Sequence, residues 1–112
     1  MRDKTRIASK MADSSDEKES AAGFSMISEI LATCPRRDME FGFFDNALFL
    51  ARKHASSGAP EVRDAVAGML AAMGRVVPEL REAVEEAIDE IKMQRSAESH
   101  SVAAKALESL GG

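Results

Sequence analysis

Pro60-Glu61-Val62-Arg63-Asp64-Ala65-Val66 recurs eighteen residues later as Pro78-Glu79-Leu80-Arg81-Glu82-Ala83-Val84. Each copy opens as a helix opens. Proline at the first helical position loses nothing by lacking an N–H, and the acid that follows suits the positive end of the helix dipole. Further along, Val62, Val66, Met69, Leu70 and Met73 fall at the same offsets as Leu80, Val84, Ala87, Ile88 and Ile91, on one face at steps of three and four. Two helices of like register are therefore expected, separated by Gly74, a suitable helix cap, and Pro78, which cannot donate to the carbonyl of Gly74. A hairpin with a very short connection follows, and a single kinked helix is its rival. The Pro-Glu-Val-Arg phrase resembles one helix of a HEAT-type repeat, but eighteen residues are too few for a repeat of two helices, so no family is assigned.

The rest of the chain reads the same way. Ala, Glu, Leu, Met and Arg dominate, and no stretch alternates apolar and polar residues long enough for a strand, so the fold class is all-α. A first helix is expected from Asp16 or Glu19 to Thr33, with Phe24, Ile27, Ile30, Leu31 and Cys34 as its apolar stripe and Pro35 as its stop. A second is expected from Met39 to Ser56, capped by Asp38 and ended by Gly58. A fifth runs from Ser99 or Ser101 to Leu110, with Ala103, Ala106, Leu107 and Leu110 on one face and 96–100 as the joint before it. The expected architecture is a bundle of four to five short helices over residues 16–112. Residues 1–15 carry almost no large apolar side chain and read as a mobile tail, because they bury too little to offset the entropy of ordering.

Composition excludes more functions than it suggests. The chain has 112 residues, one cysteine and a formal charge of −4. Cys34 has no partner for an internal disulfide, and no apolar run reaches the eighteen or so residues of a membrane helix. Arg2, Lys4, Arg6 and Lys10 are not followed by the apolar stretch a secretory signal requires. A cytoplasmic protein with no membrane association is expected. Neither His54 nor His100 has a carboxylate three residues before it, and there is no cysteine pair, calcium loop or glycine-rich phosphate loop. No metal, no cofactor and no enzymatic activity are expected, since no acid, base, nucleophile and charge stabiliser converge.

What remains is apolar surface. The second helix carries Phe41, Phe43, Phe44, Leu48, Phe49 and Leu50 with few polar positions, and 65–74 has no polar side chain at all. Two helices apolar nearly all round are more than a small monomer can bury, so self-association or a protein partner is expected. The expected contact residues are Phe41, Phe44, Leu48 and Phe49, and Gly68, Ala71 and Ala72 would let a neighbouring helix come close. Glu82, Glu86 and Glu90, stacked at four-residue steps, form an acidic rim that would select basic partners. The function expected is that of a non-catalytic interaction module, a small regulator, adaptor, chaperone or inhibitor and a candidate homodimer. The alternative is a DNA-associated regulator using Arg36, Arg37, Arg52 and Lys53, against which stand the net negative charge and the lack of a polar recognition helix.

Overall fold

In a computed structural model, which describes residues 2–33, 42–94 and 96–111, the described chain is helical and without strands. Six helices are present among the described residues: α1 Arg2–Ala12, α2 Glu17–Thr33, α3 Phe43–His54, α4 Pro60–Val76, α5 Arg81–Lys92 and α6 Ala97–Ser109. A single 3-10 turn, Pro78–Leu80, leads into α5. The Cα radius of gyration is 12.6 Å, near the roughly 13 Å of a well-packed chain of this size.

Helix α4 is the centre. Val62, Val66, Ala67, Met69, Leu70, Ala71, Met73 and Gly74 are buried, while only Pro60, Glu61, Asp64, Gly68, Arg75 and Val76 are exposed. It packs most extensively on α2 and next on α6, with α5 and α3 as lesser neighbours. The repeat is visible as two core faces, for α5 buries Val84, Ala87, Ile88 and Ile91, but its second opening differs from expectation: Pro78–Leu80 is a 3-10 turn, α5 starts at Arg81, and Leu80 is half-buried where Val62 is buried. The expected hairpin is only approximate, because α6 packs against both α4 and α5 and supplies much of what each would have found in the other. A single continuous helix is not what forms: Val77, at φ −120° and ψ 84°, leaves the α-helical region, and a 3-10 turn separates α4 from α5. Gly74 is not the cap expected of it: it lies buried inside α4, where a Cβ would come within 2.7 Å of Leu110 Cδ2.

Local signals explain several boundaries. Asp16 caps α2, its Oδ1 accepting from the backbone N–H groups of Lys18 at 2.9 Å and Glu19 at 3.2 Å. Glu19 does not complete a reciprocal capping box; its carboxylate accepts instead from Ser14 Oγ at 3.2 Å. Ser96 caps α6 by accepting from Ser99 N at 3.0 Å, so this helix begins at Ala97 rather than at the expected Ser99 or Ser101. Helix α3 begins at Phe43, after Gly42 at φ 81°, a conformation that favours glycine. The expected cap at Asp38 and the expected stop at Pro35 lie outside the described residues.

The N-terminus is the largest departure from expectation. In place of a mobile tail over 1–15, Arg2–Ala12 forms a helix laid along α2. Its buried positions are Thr5, Ala8 and Ala12, at helical steps. Small residues suffice because α2 offers a glycine at the crossing: a Cβ on Gly23 would lie 2.6 Å from the Met11 carbonyl carbon and 2.7 Å from Ala12 Cα. Ser20, buried beside it, donates to the Ala12 carbonyl at 2.7 Å and satisfies one of the acceptors that the end of α1 leaves open. The six helices therefore exceed the four to five expected by one short helix that packs through backbone proximity rather than through large side chains.

Candidate functional site

Helix α3 carries the features on which a functional reading turns. Phe43, Ala47, Leu48, Leu50 and Ala51 face the core. Phe49 is 57% exposed, whereas Leu48 is 5% exposed. Phe44 is half-buried at the border, its ring 5.8 Å from that of Phe43 and tilted by 56°. The expected contact set therefore divides: Leu48 is a core residue, Phe44 is shared between core and surface, Phe49 is on the surface, and Phe41 lies outside the described residues. Among the apolar residues of this helix Phe49 is the exposed one, beside the polar positions Asp45 and Asn46, which are exposed as well.

The C-terminal end of α3 is tied down by polar contacts. Lys53 Nζ donates to Asp13 Oδ1 at 2.8 Å, and His54 Nε2 lies 3.1 Å from the same oxygen. These hydrogen bonds, Lys53 first and His54 second, hold the Asp13 carboxyl below its ordinary range. The His54 ring also meets Phe24 of α2 edge-on, with centroids 5.7 Å apart. On the other side Arg52 Nε forms an ion pair with Glu90 of α5. Gln94 Nε2 donates to the Arg52 carbonyl at 3.0 Å, and Ser56 Oγ donates to Gln94 Oε1 at 2.7 Å. One end of α3 is thus anchored to the α1–α2 turn and to the end of α5. Along the helix, Asp45 and Phe49 face solvent.

The same contacts change the standing of the charged candidates. Arg52 and Lys53, the described cations of a nucleic-acid surface, are engaged with Glu90 and Asp13. Arg36 and Arg37 lie outside the described residues. Of the acidic rim, Glu82, Glu86 and Glu90 are all exposed, and Glu90 is the member committed to an internal ion pair. Of the small residues on α4, Gly68 is exposed and Ala72 half-buried, while Ala71 belongs to the core. Among the described residues no group of three or more His, Cys, Asp or Glu side chains is placed to hold a metal ion, and no helix is long and apolar enough to cross a membrane.

A second surface feature escaped the sequence reading. A groove of about 430 Å³ runs between α5 and α6, lined by Lys92, His100, Ala103, Ala104 and Leu107. Ala103 and Leu107 read from sequence as core positions of one face. Ala103 is indeed 1% exposed, but Leu107 is 37% exposed and lines the groove. Nothing in a one-dimensional pattern marks such an opening, since its walls come from different helices. No family model, curated protein or solved structure matches the chain.

Proposed function

We propose that the chain is a non-catalytic protein-interaction module, a small regulator, adaptor, chaperone or inhibitor that works through the outer face of α3, self-associated or bound to another protein. Phe49 carries the reading. It is a large aromatic side chain, 57% exposed, on a helix that buries its other core-facing residues and is anchored at one end. Transferring such a side chain from water to an apolar contact is worth roughly 1.5–3 kcal/mol, the scale of an interface anchor. Phe44 extends the apolar contact, and the exposed acids Glu82 and Glu86 on neighbouring α5 supply a charged rim that speeds encounter and disfavours acidic partners.

The test is recovery of the tagged chain from its own cells, followed by native mass spectrometry of the parent and of Phe49→Ser. The parent is expected to retain a stoichiometric partner, a second copy or another protein, that the variant loses while its helical circular dichroism is unchanged. Equal retention by both would refute the assignment of α3 as the contact surface.

A further inference from the structure

We infer that α1 is a releasable strap: it detaches as one unit while α2–α6 stay folded, and it carries Asp13 away from Lys53 and His54 of α3. The largest fully buried side chains, Phe24 and Ile27 of α2 and Ile88 and Ile91 of α5 among them, come from α2, α4, α5 and α6, and none belongs to α1. Among its described side chains α1 buries only Thr5, Ala8 and Ala12, while Ile7 is 54% exposed. It packs on α2 and, to a lesser extent, on α3; α4, the centre of the fold, is not among its substantial neighbours. Losing α1 therefore takes little from the core. Helix α2 keeps α4, and α3 keeps the Arg52–Glu90 ion pair and the Gln94 hydrogen bond.

Release and unfolding of α1 are one event. Thr5, Ala8 and Ala12 are spread along its whole length, and an isolated helix shorter than about 12–15 residues is marginal in water, whereas α1 has 11. Asp13 travels with it. Its N–H donates to the Ser9 carbonyl at 3.2 Å and so continues the ladder of α1, while Ser14 Oγ accepts from Asp16 N at 3.0 Å and donates to Glu19 at the start of α2. The joint thus falls between Asp13 and Ser14. On α3, Lys53 lies one helical turn beyond the exposed Phe49 on the same face. Release of α1 leaves that cation without Asp13, so the strap sets the charge beside the exposed aromatic ring. None of this depends on what the face of α3 binds.

Amide hydrogen exchange of the full chain, followed residue by residue by NMR at low salt and at urea concentrations below the unfolding transition, tests this. The amides of 6–13 are expected to share one opening constant, about a hundredfold or more larger than that of 66–73 in α4, with a shallow urea dependence that reflects the small surface exposed. Ile88→Val, a mild core substitution on α5, should raise the opening constant of 66–73 by roughly two- to tenfold and leave that of 6–13 unchanged, because the strapped and released forms contain the same altered α5. Lys53→Gln should raise the opening constant of 6–13 about twofold, since Lys53 stays on α3 in both forms and only its pairing with Asp13 differs. If 6–13 shift in step with 66–73 in Ile88→Val, they open only by global unfolding and the strap is overturned. Protection that declines steadily toward the N-terminus is simple fraying and overturns it as well. An opening constant for 6–13 that is indifferent to Lys53→Gln overturns the withdrawal of Asp13.

Discussion

Replacing Gly23 by alanine sets two effects of opposite sign against each other. Inside a helix alanine is better than glycine by about 0.8–1 kcal/mol, so a free site would be stabilised. Gly23 is not free. The added Cβ would lie 2.6 Å from the Met11 carbonyl carbon and 2.7 Å from Ala12 Cα. Both are backbone atoms, so no rotamer change relieves the overlap and α1 must move away as a unit. Overpacking of this kind costs about 1–3 kcal/mol, and displacing Ala12 also breaks the Ser20–Ala12 hydrogen bond, worth about 1 kcal/mol. After subtracting the propensity gain, the net destabilisation is about 1–3 kcal/mol. Gly68, in the middle of α4, provides the opposite case, for its Cβ would meet nothing within 4 Å. Gly68→Ala should therefore stabilise by about 0.5–1 kcal/mol. The chain has no Trp and no Tyr, so urea unfolding is best followed by circular dichroism, with the midpoint as the readout and the slope as the check on two-state behaviour. Amide exchange would locate the damage of Gly23→Ala in α1. If Gly23→Ala shifts the midpoint upward alongside Gly68→Ala, the close packing of α1 on α2 is refuted.

Three further outcomes follow from named contacts. Leu48→Ala should cost about 2–5 kcal/mol because Leu48 is in the core, whereas Phe49→Ser should change the stability of the isolated monomer by no more than about 0.5 kcal/mol; thermal unfolding at low protein concentration separates them. Asp13 has a carboxyl held below its ordinary value of 3.8 by Lys53 and His54. Its contribution is thus present above that value and lost as pH falls through the lowered one. Asp13→Asn should cost only a few tenths of a kcal/mol at neutral pH, since the pair is well solvated, and the difference from the parent should vanish in unfolding curves taken in strong acid. Ser96→Ala should cost about 1 kcal/mol in denaturant unfolding by removing the cap that accepts from Ser99 N, and amide exchange should show earlier fraying at the start of α6.

The residues whose conformation depends on near neighbours were the most legible. Asp16 before α2, Pro60 at the first position of α4 and the apolar steps of 62–73 and 84–91 all act within one or two turns, so their consequences can be read directly along the chain. The all-α class follows from the same local terms. Arg2–Ala12 was not legible, because its packing residues are Thr5, Ala8 and Ala12, whose small apolar area leaves no stripe to see, and because the site that accepts them is Gly23 on another helix. The candidate site was legible only in part. A run holding Phe43, Phe44, Leu48, Phe49 and Leu50 announces an apolar helix without indicating which side its neighbours will cover.

By itself, the sequence determined the all-α class, the opening of α4 at Pro60, and most of the core faces of α4 and α5, since periodicity and capping are short-range properties. Tertiary structure alone decided that Leu48 is buried while the adjacent Phe49 is exposed, that Arg52 and Lys53 are engaged by acids from distant parts of the chain, and that a groove opens beside Leu107. Each of these depends on where a second or third helix comes to rest. Exposure, ion pairing and concavity are relations between segments far apart in sequence, set by how their side-chain volumes pack together.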